Sequence, residues 1–251
     1  MKKIAIINNK GGVAKTTSVY NLGAYFAKKG LKTLLIDLDP QGNLTFACGL
    51  DQNNLKHTIF DVLQQKKLFT NKVATNLNII PSNLNAEKAN MQFITYPSYD
   101  TLLSRILQPY EEEYDVCLID SSPSLSLLTR NALGCANAVY IPIEAGIFEL
   151  IGSRLLIENI IDLKEAVNPE LEISGIFLTK YNPRTVVTKQ LMKTVEETFK
   201  TKLLKSKIRI NIALREAPTT AQNIFDYSPK SNGAKDYENL GNEILEIEEL
   251  I

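Results

Sequence analysis

A doubly wound, mostly parallel α/β sheet with helices on both faces is the fold this chain predicts, on three observations. Apolar runs of strand length alternate with helical patterns from one end to the other, the order that builds parallel sheets. The first run passes straight into the small-residue loop Lys10-Gly11-Gly12-Val13-Ala14-Lys15-Thr16-Thr17 and then a helical pattern. That arrangement aims backbone N–H groups and a positive helix end at one point. The 251 residues, 44% of them hydrophobic, suffice for a full core, and no linker divides them. A single domain over residues 1–251 is expected.

The first strand is read at Ile4 to Ile7. Behind the loop, Val19, Leu22, Gly23, Phe26 and Ala27 recur at helical spacing and predict a helix packed on the sheet, ended by Gly30. Further strands are read at Thr33 to Leu38, Leu77 to Ile80, Val116 to Ile119, Ala138 to Ile143 and Ile173 to Leu178. Leu150 to Val167 and Val186 to Phe199 carry amphipathic helical patterns, and Ser228 to Gly233 is a turn before a final helix. Neither internal repeats nor low-complexity tracts interrupt the order.

Cys48, Cys117 and Cys135 are far apart and lack metal-ligand spacing, so reduced, mostly buried thiols and a cytoplasmic protein are expected. With the first strand read within three residues of the start, no signal peptide is expected, and no apolar run reaches the length of a membrane span. The lone histidine, His57, lies in a polar stretch, where an exposed or helix-capping role is expected. Ser/His/Asp hydrolysis and zinc chemistry are thereby disfavoured.

Ligands of open parallel sheets bind at the carboxyl ends of the strands, and three of those ends carry chemistry. The Lys10 to Thr17 loop reads as a phosphate cradle, with Lys15 reaching the β and γ phosphates and Thr16 a magnesium ion. It departs from G-x-x-x-x-G-K-[ST], which places glycine where Asn9 and Ala14 stand. The second run ends Asp37-Leu38-Asp39-Pro40-Gln41-Gly42-Asn43, two acids on alternate positions, and a buried pair of acids is reasonable only beside cations. Asp37 taken alone also fits a strand-end acid that stabilises a turn. The fourth run ends in Asp120, placed to contact magnesium beside a phosphate loop.

The wording x-K-G-G-x-x-K-T-T resembles the deviant phosphate loop of the ParA/Soj and MinD ATPases. The resemblance continues through Asp37 to Asn43, Asp120-Ser121-Ser122-Pro123-Ser124, Tyr181 to Thr185, Glu216-Ala217-Pro218 and Ser231-Asn232-Gly233-Ala234, over nearly the whole chain. It implies ATP and Mg2+ as cofactors. It also implies nucleotide contacts from Lys10, Gly11, Gly12, Val13, Ala14, Lys15, Thr16 and Thr17, with Lys10, Lys15 and Asp39 in the catalytic roles. Lys10 would cross a dimer interface to the partner's nucleotide, and Asp39 would orient the attacking water. Thr16, Asp37, Asp39 and Asp120 form the implied metal set, and Thr179, Lys180 and Asn211 the implied adenine contacts. The Soj-like branch further implies an ATP-dependent homodimer on non-specific double-stranded DNA, slow hydrolysis stimulated by a ParB-like partner, and association with the nucleoid.

Charge bears on that branch. The chain is neutral overall, yet from Lys180 to Arg215 ten Lys or Arg face two Glu, a balance of +8, and from Asp236 to Ile251 six acids face no Lys or Arg, a balance of −6. The basic segment suits sequence-tolerant DNA contact through Arg184, Lys189, Lys205, Lys207, Arg209 and Arg215; the competing reading is a solvated face. A MinD-type membrane switch needs a basic amphipathic C-terminus, and this terminus is acidic. An iron-protein relative needs paired cysteines between subunits, which Cys117 in a strand disfavours. A ParA-like ATPase positioning a cargo other than DNA remains an alternative.

Overall fold

The structure is a computed structural model that describes residues 1–96, 98–144, 146–182 and 194–250, without the side chains of 147–151. Among the described residues eight strands form one sheet: β1 Lys2–Ile6, β2 Thr33–Asp37, β3 Asn71–Ala74, β4 Leu77–Ile80, β5 Val116–Asp120, β6 Ala138–Glu144, β7 Glu172–Tyr181 and β8 Leu203–Arg209. Their order is β3-β4-β2-β5-β1-β6-β7-β8. Only β3 with β4 is antiparallel; the other pairs are parallel.

The central strands are apolar on both sides because both faces are covered. Successive residues of a strand point to opposite faces, so Ala5 and Ile7 join one core, with Leu34, Ile36, Cys117 and Ile119. Ile4 and Ile6 join the other, with Leu35, Leu118 and Tyr140. Helix α1, Lys15–Lys28, lies so close to the second face that a Cβ on Gly23 would come within 2.5 Å of Leu35 Cδ2. The left-handed φ of 96° at Gly30 then turns the chain toward β2.

The final helix, Asn232–Ile247, packs on β8 and α1. Ser231 caps its N-terminus by accepting the Ala234 N–H, and Ser18 Oγ shares a 3.0 Å hydrogen bond with Tyr237. The phosphate-loop helix is thereby tied to the C-terminal helix. All three cysteines are free and buried. His57 is half-buried, not exposed, because its ring stacks on Phe69 at 3.9 Å.

Two strands go beyond the sequence reading. β3 and β8 are the edges of the sheet, and β8 occupies part of what sequence shows as a basic segment. The helix expected over Val186 to Phe199 is described only from 194 to 199; Arg184 and Lys189 lie outside the described residues.

Candidate active site

β1 enters the loop between β5 and β6, and a cavity of about 640 Å³ opens above these carboxyl ends. Gly11, Gly12, Lys15 and Thr16 form one wall, Asp39 and Gln41 another, and Ile208 to Asn211 the far end. Gly12 has φ 75°, which its missing Cβ permits. Ala14 takes the same left-handed region, φ 67°, at the N-cap of α1.

Lys15 is 6% exposed, and its ammonium donates to the Lys10 carbonyl at 2.9 Å. Burial lowers its pKa, while the charges of Asp120 and Asp39 oppose the fall. Thr16 Oγ1 donates to Asp120 Oδ2 at 2.6 Å. Asp120 is fully buried, and its Oδ1 accepts no hydrogen bond among the described residues. Burial pushes its pKa well above the carboxylate range, and the Asp37 charge pushes it further. A buried carboxylate in that condition is costly without a cation. Thr16 and Asp120 therefore fit a hard divalent ion held by oxygen donors.

Asp37 stands opposite Asp120 in the β2–β5 register and is fully buried. Its Oδ2 accepts from Thr45 N at 2.9 Å and Thr45 Oγ1 at 2.7 Å, and its Oδ1 from Asp39 N at 3.1 Å. Thr45 Oγ1 in turn accepts from Ser82 N at 2.8 Å. The strand-end acid thus braces the loop after β2, while Asp39, 8% exposed, reaches the cavity wall and takes the Gln41 N–H at 2.9 Å. Gln52 holds the same loop from outside, donating to Gly42 O at 2.8 Å and Gln41 O at 3.2 Å. No motif marks Gln52, because its partners are carbonyls.

The residues expected at the adenine separate. Asn211 lines the far end of the cavity with Ile210 and Leu214. Thr179 is 1% exposed and lies behind the loop, its hydroxyl against Val13 O at 3.2 Å and Ile143 O at 3.3 Å. Lys180 stands at the phosphate loop instead: a Cβ on Gly12 would be 3.9 Å from its Nζ. A second acid, Glu144 at the end of β6, pairs with Lys180 at 2.7 Å and with Lys10 at 3.7 Å. Sequence reading passed over Glu144, since only the adjacency of β6 and β7 brings it to the lysines.

Of the basic residues expected on DNA, Lys205 and Arg215 are exposed, and the Lys207 ammonium stands 5.0 Å from the Tyr181 ring centre. Arg209 differs, because its guanidinium makes a bidentate pair with Asp236 at 2.6 and 3.0 Å and borders the cavity. An arginine so committed offers little to a phosphate backbone.

A strand–loop–helix with a buried lysine, and a hydroxyl in the helix's first turn paired with an acid at the end of the neighbouring parallel strand, defines a P-loop nucleotide-binding protein. Residues 1–173 match the family described as AAA domain. Over 248 residues the chain is 38% identical to the chromosome-partitioning ATPase Soj of Treponema pallidum, covering 97% of each sequence. Among solved structures, cobyrinic acid a,c-diamide synthase from Mycobacterium smegmatis, with bound ATP analogue and magnesium, superposes at TM-score 0.85. It is 28% identical, over 98% of this chain and 94% of that one. A putative plasmid partition protein from Borrelia burgdorferi bound to AMPPNP superposes at TM-score 0.80, 27% identical over 98% of each chain. The chain belongs to the ParA/Soj-type partition ATPases of the deviant P-loop family. Among the described residues, no helix is long and apolar enough to cross a membrane.

Proposed function

We propose that this protein is an ATP-driven dimerising switch for plasmid or chromosome partition, which binds double-stranded DNA without sequence preference and whose slow hydrolysis is stimulated by a ParB-like partner. The observation that carries the nucleotide reading is the Thr16–Asp120 pair beside Lys15, with Asp120 Oδ1 buried and accepting no hydrogen bond among the described residues. Thr16 and Asp120 would hold a magnesium ion there, which would supply positive charge against the phosphates. Lys15, held at the loop by the Lys10 carbonyl, adds its charge to that of the backbone N–H groups. Asp39 at the cavity wall is fixed through Gln41 and is suited to orient a water toward the terminal phosphate. Lys10 is exposed at the rim of the loop, which suits the role its family resemblance implies across a dimer.

The DNA half of the reading rests on Lys205, Lys207 and Arg215, with Arg184 and Lys189 continuing the run in sequence. Phosphate contacts of this kind are salt-sensitive and indifferent to base sequence, and a dimer doubles them. A cytoplasmic, nucleoid-associated protein follows. Retention on DNA measured with ATP, with ADP and with Lys15→Ala tests it. ATP should raise retention about tenfold or more over ADP at low salt, since doubling the phosphate contacts multiplies affinity steeply. Lys15→Ala should abolish the gain. Equal retention with ATP and ADP refutes the partition reading.

A further inference from the structure

An acid at the mouth of a polyphosphate site is electrostatically adverse, because it repels the ligand the site attracts. Glu144 occupies that place. Its carboxylate lies 2.7 Å from Lys180 Nζ and 3.7 Å from Lys10 Nζ, and it is the last residue of β6. Lys180 reaches it by an unusual backbone. Its φ is 49°, left-handed for a residue with a Cβ, and the β7–β8 register shifts between Leu178 and Tyr181 around it. Irregularities of this kind re-aim side chains and collect at functional sites. The consequence is visible in the geometry, since the Lys180 ammonium lies over the phosphate loop beside Gly12 and lines the cavity.

We infer that Lys180 is a further phosphate-binding residue and that Glu144 is its competing counterion, so that nucleotide phosphates displace the carboxylate from Lys180 when they bind. This rests on the nucleotide reading of the site. Glu144 positions the ammonium over the loop through an ion pair that is partly exposed on both sides, 25% for the acid and 43% for the lysine. Pairs so placed are weak and readily exchanged for a more highly charged partner. Glu144 therefore sets how much phosphate charge is needed to recruit Lys180, which favours triphosphate over diphosphate.

Affinity for a fluorescent ATP, with ADP in parallel, is measured on the wild type, Glu144→Gln and Lys180→Met at about 0.3 M salt, where fields reaching beyond about 6 Å are screened. Glu144→Gln should tighten ATP binding about two- to fivefold and Lys180→Met should weaken it by a similar factor, both by less with ADP. Thermal unfolding of the same variants separates a structural role, because each loses the same ion pair and their melting shifts should share a sign while their affinities diverge. Affinities that move together, or stay at the wild-type value, overturn the inference while leaving the nucleotide site standing. A wild-type protein that retains neither nucleotide overturns the nucleotide reading, and this inference with it.

Discussion

Ala14 holds its backbone at φ 67°, ψ 28° at the N-cap of α1, with no side-chain hydrogen bond to cap the helix. Left-handed backbone costs an L-residue with a Cβ about 1–2 kcal/mol. The P-loop wording calls for glycine here, and the chain follows glycine's path with alanine in place. The loop's shape is therefore set by what surrounds it: Thr179 pins the Val13 carbonyl from behind, and Lys15 folds back on Lys10. Ala14→Gly should relieve the strain at some entropic cost in the unfolded chain, for a net gain of about 0.5–1 kcal/mol. Urea unfolding without nucleotide measures it. A loss of stability would mean that packing of the Ala14 methyl outweighs its backbone strain.

At the level of elements, β2 and β5 end side by side with Asp37 opposite Asp120. Burial pushes the Asp37 pKa from 3.8 up to about 7, against the hydrogen bonds from Thr45 and Asp39 that favour its charged form. The sign follows from linkage. A carboxyl whose pKa is higher folded than unfolded contributes stability that is fully present below 3.8 and lost as pH rises through about 7. The protein without magnesium should lose stability over that window, by at most about 1.4 kcal/mol per pH unit, and Asp37→Asn should flatten the slope. Urea midpoints from pH 4 to 8 decide it, and an equally steep slope in Asp37→Asn would shift the cause to Asp120. The six strands read from sequence, β1, β2 and β4 to β7, were legible because burial on both faces leaves a continuous apolar run. β3 and β8 were not. In Leu203–Arg209 only Leu204 and Ile208 are buried, and the residues between them are Lys205, Ser206 and Lys207, so an edge strand reads as charge. The site divides in the same way. Lys15, Thr16, Asp39 and Asp120 carry a motif, whereas Glu144 and Gln52 act through strand order and loop carbonyls that no local wording encodes.

Over the whole molecule, the two charged blocks of the sequence meet. The final helix lies along the open edge of β8, where Glu243 accepts the N–H groups of Lys205 at 2.8 Å and Ser206 at 2.9 Å, and Asp236 takes Arg209. Glu248 closes the other end, pairing with Lys2 at 2.6 Å and accepting from Tyr140 at 2.7 Å. The helix acids thus cover a strand edge that would otherwise invite pairing with another chain, and they offset part of the +8 that the proposed DNA surface depends on. These two effects of Glu243 separate by substitution. Glu243→Ala leaves two strand N–H groups without a partner and should cost about 1 kcal/mol of stability. Glu243→Gln keeps an acceptor oxygen and removes the charge beside Lys205, so ATP-dependent DNA retention should rise about two- to fivefold at low salt. At about 1 M salt, where screening acts within about 3 Å, that gain should vanish. Retention equal to wild type at low salt would place the DNA surface away from β8, on the part of the basic run between Arg184 and Lys189 or on Arg215.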